Sequence, residues 1–147
     1  MKNWYLIKTK PRQEKIAKQN LENQGYEVFC PIAKLNDKLV VLFPSYLFIQ
    51  LKDKTQNWSP VNSTKGVSYF VKFGLNFAKV PNSVIKFIKT NQHNTIDKLK
   101  NLNKFKPGDK VQISDGPFNN YMAIFKCYKS DERIILLMNL LGHAQSL

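Results

Sequence analysis

The sequence is poor in acidic residues relative to basic ones. It has 23 lysine and arginine residues but only 10 aspartate and glutamate residues, and its formal net charge is +13. This balance indicates an anionic partner (nucleic acid, an anionic membrane surface or an acidic protein) and carries no information about the fold. The net charge is +10 over residues 1–90 and +3 over residues 91–147. We therefore expect the basic surface in the first part of the chain.

Patterns of catalytic and metal-binding residues are also missing. Cys30 and Cys127 have no metal or redox spacing, and neither His93 nor His143 has a carboxylate or cysteine partner near it in sequence. The chain contains no phosphate-binding glycine loop, no paired-histidine motif and no nucleophile elbow. We expect a protein that is not an enzyme and that binds no cofactor and no metal.

We expect no signal peptide, and the sequence has no long apolar run. Met1–Trp4 leads directly into a strand pattern, and no apolar stretch approaches the length of a membrane span. With 147 residues, 43% of them hydrophobic, the chain can form one ordinary domain or two small ones. We expect a soluble, reduced, cytoplasmic protein that does not enter a membrane.

The first 90 residues have the pattern of a compact α+β unit. Pro11 is expected to open a helix that Gly25 closes, with an apolar stripe of Ile16, Ala17 and Leu21. Pro81 is expected to start a second helix. Around the helices, apolar and β-branched runs predict an antiparallel sheet. The predicted strands are Trp4–Ile7, Glu27–Pro31, Lys38–Phe43, Tyr46–Lys52 and Gly66–Phe73.

The stretch from Leu42 to Gly74 has more aromatic side chains than one small sheet needs. Side chains alternate along a strand, so Tyr46 and Phe48 share one face while Leu47 and Ile49 share the other. Both faces are apolar. If the helices of this unit cover one face, the other is left for a partner or for further core.

The composition changes after residue 90. Residues 91–104 are polar and predict a linker. Residues 105–147 have short strand patterns separated by turns, which predict a small β-barrel. Two of these strands are Met122–Tyr128 and Arg133–Leu141. The last strand would begin at His143, so either the barrel closes imperfectly or the chain is truncated.

These residues resemble the NusG family of transcription elongation factors. The first unit carries Trp4-Tyr5, the run Phe43-Pro44-x-Tyr46-Leu47-Phe48, and Thr64-x-Gly66-Val67. The second resembles the small SH3-like β-barrel called the KOW domain, in Gly108-Asp109-x-Val111 and Asp115-Gly116-Pro117-Phe118. The resemblance implies a NusG-like N-terminal domain over residues 1–90, a linker over 91–104 and a KOW domain over 105–147.

Within the family the chain is most similar to RfaH, the specialised antiterminator paralogue. The likeness lies in residues 42–48, 65–74, 123–125 and 136–140. It implies a monomer that binds the clamp helices of the largest RNA polymerase subunit and the non-template single-stranded DNA, and that suppresses pausing and termination. The alternatives are a general NusG factor without a DNA element, or a KOW-type RNA-binding or ribosome-associated protein.

The resemblance also implies three sets of contact residues. The polymerase-binding set is Leu6, Phe43, Pro44, Tyr46, Phe48 and Phe73. The DNA-binding set is Lys10, Arg12, Gln13, Lys15, Lys18, Thr64 and Lys65, in which cations hold phosphates and polar groups read unstacked bases. Phe118 is the KOW contact to a ribosomal protein or the termination factor Rho. Ile16 and Asn20 depart from the RfaH pattern, so no particular DNA sequence is implied.

RfaH-like KOW domains can also fold as an α-helical hairpin that masks the polymerase-binding patch. Residues 133–141 are ambiguous in this respect, because leucine and methionine favour a helix whereas Ile134 and Ile135 favour a strand. We place the β-barrel first and keep the helical hairpin packed on the first domain as the alternative.

Overall fold

The computed structural model describes residues 2–35, 37–52, 58–92, 119–127 and 129–145. Its described strands are β1 (Lys2–Thr9), β2 (Glu27–Phe29), β3 (Ile32–Leu35), β4 (Lys38–Val41), β5 (Tyr46–Lys52), β6 (Val67–Phe70), β7 (Lys72–Phe73), β8 (Asn76–Phe77) and β9 (Lys79–Val80). The helices are α1 (Glu14–Asn23), α2 (Ser59–Asn62), α3 (Asn82–Asn91), α4 (Asn119–Met122) and α5 (Ser130–Gln145), with a 3₁₀ turn over Ala123–Lys126.

The described residues form a five-stranded antiparallel sheet with β1 at its centre. The strands follow the order β2-β5-β1-β6, and β9 pairs with the first half of β1. Leu6 lies opposite Phe48 across β1 and β5, and Ile7 lies opposite Phe70 across β1 and β6. The hairpins β3–β4 and β7–β8 form separate two-stranded sheets. The predicted antiparallel α+β fold is therefore confirmed.

Side-chain alternation divides the sheet into two buried faces. Tyr5 and Ile7 pack with α1 on one face, while Trp4, Leu6 and Phe48 pack with α3 on the other. The sheet thus has helices on both sides, as its two apolar faces require.

Helix α1 begins later than predicted. Arg12 has a positive φ of 62°, and the Gln13 amide donates to the Lys10 carbonyl at 3.0 Å, so residues 10–13 form a turn before the helix. The predicted apolar stripe is also wrong at Ile16, which is 43% exposed. Glu14 takes the buried place beside Ala17 and Leu21.

Several short elements were not predicted. The run predicted as one strand over 66–73 divides into β6 and β7, and β3, β8, β9 and α2 lie in segments without a strand or helix prediction. Helix α3 begins at Asn82, directly after Pro81 as expected, and buries Val84, Ile85 and Ile88.

The predicted strands over 122–128 and 133–141 are wrong for the described residues, which are helical there. The burial pattern explains why residues 133–141 form a helix. Buried residues recur every four positions, at Arg133, Leu137 and Leu141, and line one side of α5. Asp131 and Glu132 in its first turn also favour a helix N-terminus. The helical alternative is the one observed. Of the predicted linker over 91–104, Asn91 is the last residue of α3, and residues 93–104 lie outside the described residues, as do the predicted barrel residues 105–118.

Candidate functional site

The predicted polymerase-binding residues lie together on the α3 side of the sheet. We call Leu6, Phe43, Pro44, Tyr46, Phe48 and Phe73 the apolar patch. Leu6 comes from the centre of β1, and Tyr46 and Phe48 from the start of β5. A tight turn aims the segment before β5, because Ser45 has a φ of 69° and its carbonyl accepts from the Thr9 amide at 2.8 Å.

The apolar patch has a buried centre and a partly exposed rim. Leu6, Phe43 and Phe48 are all 0% exposed. The ring of Phe48 lies 6.1 Å from that of Phe43 in an edge-on arrangement and 5.9 Å from that of Phe29. The other three members, Pro44, Tyr46 and Phe73, are partly buried. The centre is therefore structural core, and only the rim offers side-chain surface.

The C-terminal helices cover this patch. Tyr121, Ile124, Phe125, Leu137 and Leu141 belong to the same buried cluster as the patch residues. A Cβ at Gly142 would lie 3.4 Å from the Phe73 ring, so α5 passes close to the rim at this point. The side of the sheet that the sequence left for a partner is thus occupied by the chain itself.

Arg133 ties α5 to the patch through hydrogen bonds. Its Nε donates to the Leu42 carbonyl at 2.9 Å, and its Nη1 donates to the Cys127 carbonyl at 3.0 Å. The side chain is only 3% exposed, and burial lowers its pKa from the ordinary arginine value. The first bond joins α5 to the residue before Phe43, so it holds the helix in register on the patch.

We predict that Arg133→Met loosens the C-terminal helices. The variant keeps the apolar stem but removes charge-assisted donors from two carbonyls, which should weaken helix packing by about 2–4 kcal/mol. The measurement is the reaction rate of the Cys127 thiol at pH 8. Burial raises the pKa of this thiol and slows its reaction. If opening limits access, the rate should rise roughly 30- to 1000-fold.

Two internal controls accompany this variant. Lys129→Met removes an exposed cation from the same segment and should leave the rate unchanged. Burial and the nearby Glu14 carboxylate raise the pKa of Cys30 to about 11, so this second thiol contributes little signal at pH 8. Equal Cys127 rates in Arg133→Met and the unmodified protein would contradict the prediction that Arg133 limits opening of the helices around Cys127.

The predicted DNA-binding residues form a second surface, at the end of β1. We call Lys10, Arg12, Gln13, Lys15, Lys18, Thr64 and Lys65 the basic surface. The Lys10 amide donates to the Gly66 carbonyl at 2.8 Å, and the Asn20 amide group donates to the Lys65 carbonyl at 3.3 Å. Gly66 has a φ of 97°, and a Cβ there would lie 2.9 Å from the Ala17 backbone, so glycine permits this close contact.

The members of the basic surface differ in accessibility. Lys10, Arg12, Lys15 and Lys65 are exposed, and Lys18 is paired with Glu22 at 3.1 Å. Thr64 is 7% exposed; its hydroxyl donates to the Pro60 carbonyl at 2.7 Å and accepts from Gln24 at 2.8 Å. The four exposed cations are available to phosphates, while Thr64 shapes the turn that carries Lys65.

Glu14 joins the two surfaces and was missed in the sequence. Its carboxylate is 8% exposed and accepts a hydrogen bond from the Ser45 amide at 3.0 Å. This bond links the start of α1, which carries the basic surface, to the turn that carries Pro44 and Tyr46. A glutamate at helical spacing from Ala17 and Leu21 was the available signal.

Trp58 lies inside the first unit. Its ring is 4.7 Å from Tyr5, 5.3 Å from Phe70 and 5.0 Å from Phe77. These contacts pack Trp58 against the buried cluster that contains Tyr5 and Phe70, so its role there is structural.

Other predicted residues cannot be assessed in the same way. Phe118 and His93 lie outside the described residues, as does the side chain of His143. Over the described part of the chain, no cluster of three or more His, Cys, Asp or Glu residues could hold a metal. Among the helices described, none is long and apolar enough to cross a membrane.

Comparison with known proteins identifies the family. The NusG family model, described as transcription termination factor NusG, matches residues 2–89. The Rickettsia conorii transcription termination/antitermination protein NusG is 26% identical and covers 84% of this chain and 73% of its own. The protein of the same name from Thermus thermophilus is 28% identical and covers 80% of this chain and 78% of its own.

A solved structure agrees in fold. The structure titled "Domain interaction in Thermotoga maritima NusG" matches with a TM-score of 0.52 and 21% identity, over 80% of this chain and 68% of that chain. At this identity the likeness supports the fold alone. The family model, however, spans more than half of the sequence. The chain belongs to the NusG family, whose members are transcription factors and not enzymes.

Proposed function

We propose that this NusG-family factor is an RfaH-type antiterminator whose polymerase-binding patch is covered by its own C-terminal helices. The observation that carries the proposal is the position of α5, which buries Leu137 and Leu141 in the cluster that contains Phe43 and Phe48. A factor with this patch covered binds polymerase only after the helices leave. Such a factor acts selectively, because something must release the helices.

The basic surface supplies the selective contact in this proposal. Lys10, Arg12, Lys15 and Lys65 stay exposed while the helices cover the patch. Exposed cations can therefore hold the non-template single strand before polymerase docks on Tyr46 and its neighbours. Glu14 links the two surfaces through Ser45, so the DNA contact and the polymerase contact lie on the same domain.

Polymerase retention tests the function. RNA polymerase is stalled on templates that differ only in the non-template strand, and retention of the full-length protein is measured on each. Retention on particular strands only is the result expected for the RfaH-type factor. Equal retention on every template supports the general NusG function. No retention, even with Leu137→Asp to release the helices, rejects polymerase binding and leaves a KOW-type RNA-binding or ribosome-associated protein.

A general NusG factor is the second candidate, and a specific observation favours it. The matched relatives from Rickettsia and Thermus are named NusG. A general factor needs no DNA element. The covered patch is the reason we place the RfaH-type function first. Recruitment of a ribosomal protein or Rho through Phe118 stays a prediction.

We predict a steep salt dependence for single-stranded DNA binding. If the four exposed cations of the basic surface each contact a phosphate, the slope of log affinity against log salt is about −2.8, so fourfold more salt weakens binding roughly 50-fold. Fluorescence anisotropy with a labelled oligonucleotide measures the slope. Lys65→Gln should reduce its magnitude by about 0.7, while Lys86→Gln on α3 serves as a matched exposed control. A flat response would indicate that this surface binds protein only.

A further inference from the structure

We propose that Tyr69 is a stacking platform for an unpaired base of single-stranded DNA. The inference rests on the proposed DNA-binding function and adds an aromatic residue to a surface so far defined by cations and polar groups. Tyr69 is 53% exposed. It lies on β6, whose described sheet partner is β1, at the edge of the sheet.

The sheet register places Tyr69 in a row with two other side chains. Lys8 of β1 lies opposite Tyr69 on one side and opposite Tyr46 on the other. Adjacent strands are about 4.8 Å apart, so the two tyrosines stand roughly 10 Å from each other with Lys8 between them. The Lys8 Nζ lies 4.9 Å from the centre of the Tyr46 ring. The row therefore places the cationic Lys8 between two aromatic residues, Tyr69 and Tyr46.

Tyr69 points to the face of the sheet opposite to that of its neighbour Phe70. Phe70 lies opposite Ile7 and belongs to the cluster under α1. Since side chains alternate along a strand, Tyr69 points to the opposite face, where Leu6 and the apolar patch lie. It remains more than half exposed although the C-terminal helices occupy that face. Core packing therefore does not account for the aromatic ring.

Strand β6, which carries Tyr69, begins two residues after Lys65 of the basic surface. The Lys10 amide donates to the Gly66 carbonyl at 2.8 Å, so the segment after β1 and the turn before β6 are joined. Lys10 and Lys65 are exposed at this junction, and Tyr69 lies three residues beyond Gly66. Cations that follow a phosphate backbone beside an exposed aromatic ring are the combination that binds single strands, because every base has a face that can stack.

The experiment compares an ordinary strand with an abasic strand of the same length. Both are labelled oligonucleotides of about twelve nucleotides, one of thymidine and one with every base removed, and anisotropy with the full-length protein is measured at low salt. Tyr69→Ala should weaken binding to the thymidine strand by about 5- to 150-fold. Binding to the abasic strand should stay within about twofold, because phosphate contacts are unchanged.

Two variants separate stacking from other effects. Tyr69→Phe keeps the ring and should bind the thymidine strand within about twofold of the unmodified protein. Leu39→Ala removes another exposed apolar side chain, 74% exposed on the β3–β4 hairpin, and should change neither strand. A matching loss on both strands, or no loss on the thymidine strand, overturns the stacking role.

The outcome also separates this inference from the proposed function. If the unmodified protein binds thymidine and abasic strands equally and with steep salt dependence, the result supports the basic surface as a phosphate contact and rejects the Tyr69 platform. If it binds neither strand, both the proposed DNA contact and the Tyr69 platform are rejected. Stronger binding of the thymidine strand, lost in Tyr69→Ala and kept in Tyr69→Phe, supports both.

Discussion

Replacing Leu137 with aspartate is expected to detach the C-terminal helices and raise polymerase binding. Leu137 is 0% exposed within the cluster that contains Phe43, Phe48 and Leu141. A carboxylate buried at this position would lose its hydration, which costs several kcal/mol. A small shift of the helix on the sheet cannot offset this cost. The helices should leave the sheet because release restores water to the charge.

The size of the gain depends on how seldom the patch is free in the unmodified protein. Apparent affinity is the intrinsic affinity multiplied by the fraction of open molecules, so a shift of about 3–4 kcal/mol raises it by up to roughly 100- to 1000-fold. Affinity for polymerase, measured without a DNA template, reports this gain directly. A DNA-free measurement also excludes any contribution from the basic surface.

Ile135 provides a matched control on the same helix. It lies two residues from Leu137 but is 61% exposed. Ile135→Asp adds the same charge and has a similar effect on helix propensity, but its carboxylate remains exposed to water. It should leave polymerase affinity within about twofold, since surface substitutions are usually nearly neutral. If both aspartate variants bind polymerase no better than the unmodified protein, the helices do not control the patch.

Regular elements of the first unit could be predicted because their signals are local. The alternation in β1 and β5 and the position of Pro81 before α3 each specify burial within a few residues. The start of α1 could not be placed, because the positive φ of Arg12 belongs to a turn tied to Gly66 and Ser45, which are distant in sequence.

The C-terminal segment could not be decided from sequence for a physical reason. Its apolar residues satisfy a strand pattern or a helix pattern equally well, and the contacts that select the helix come from the sheet. Arg133 was missed for the same reason, since its acceptor is the backbone carbonyl of Leu42, 91 residues away. Partners of this kind leave no motif in the sequence.

The candidate site was predicted as a set, but its members have unequal roles. Phe48 and Phe43 are as buried as any core residue, whereas Tyr46 and Phe73 line the rim. On the basic surface, Thr64 is likewise structural and Lys65 is exposed. Sequence pattern identifies which residues share a face, but only packing shows which of them a partner can reach.

This division predicts different stability losses for two aromatic residues on the same face of β5. Phe48→Ala should lower the free energy of unfolding by about 3–5 kcal/mol, because it opens a cavity between Phe29 and Phe43. Tyr46 is only partly buried, so Tyr46→Ala should cost far less stability. Urea unfolding of each full-length variant measures the difference.

Polymerase binding should depend on Tyr46 although its contribution to stability is small. In the Leu137→Asp background, where the patch is open, Tyr46→Ala should weaken polymerase binding by about 30-fold or more, as loss of an aromatic anchor does. Tyr26→Ala is the matched control, a partly buried tyrosine that packs with the cluster under α1. If Tyr46→Ala binds as well as the control, the rim is not the contact. Because Phe48→Ala disturbs folding, a binding loss in that variant alone would not identify a polymerase contact, and the evidence must come from Tyr46.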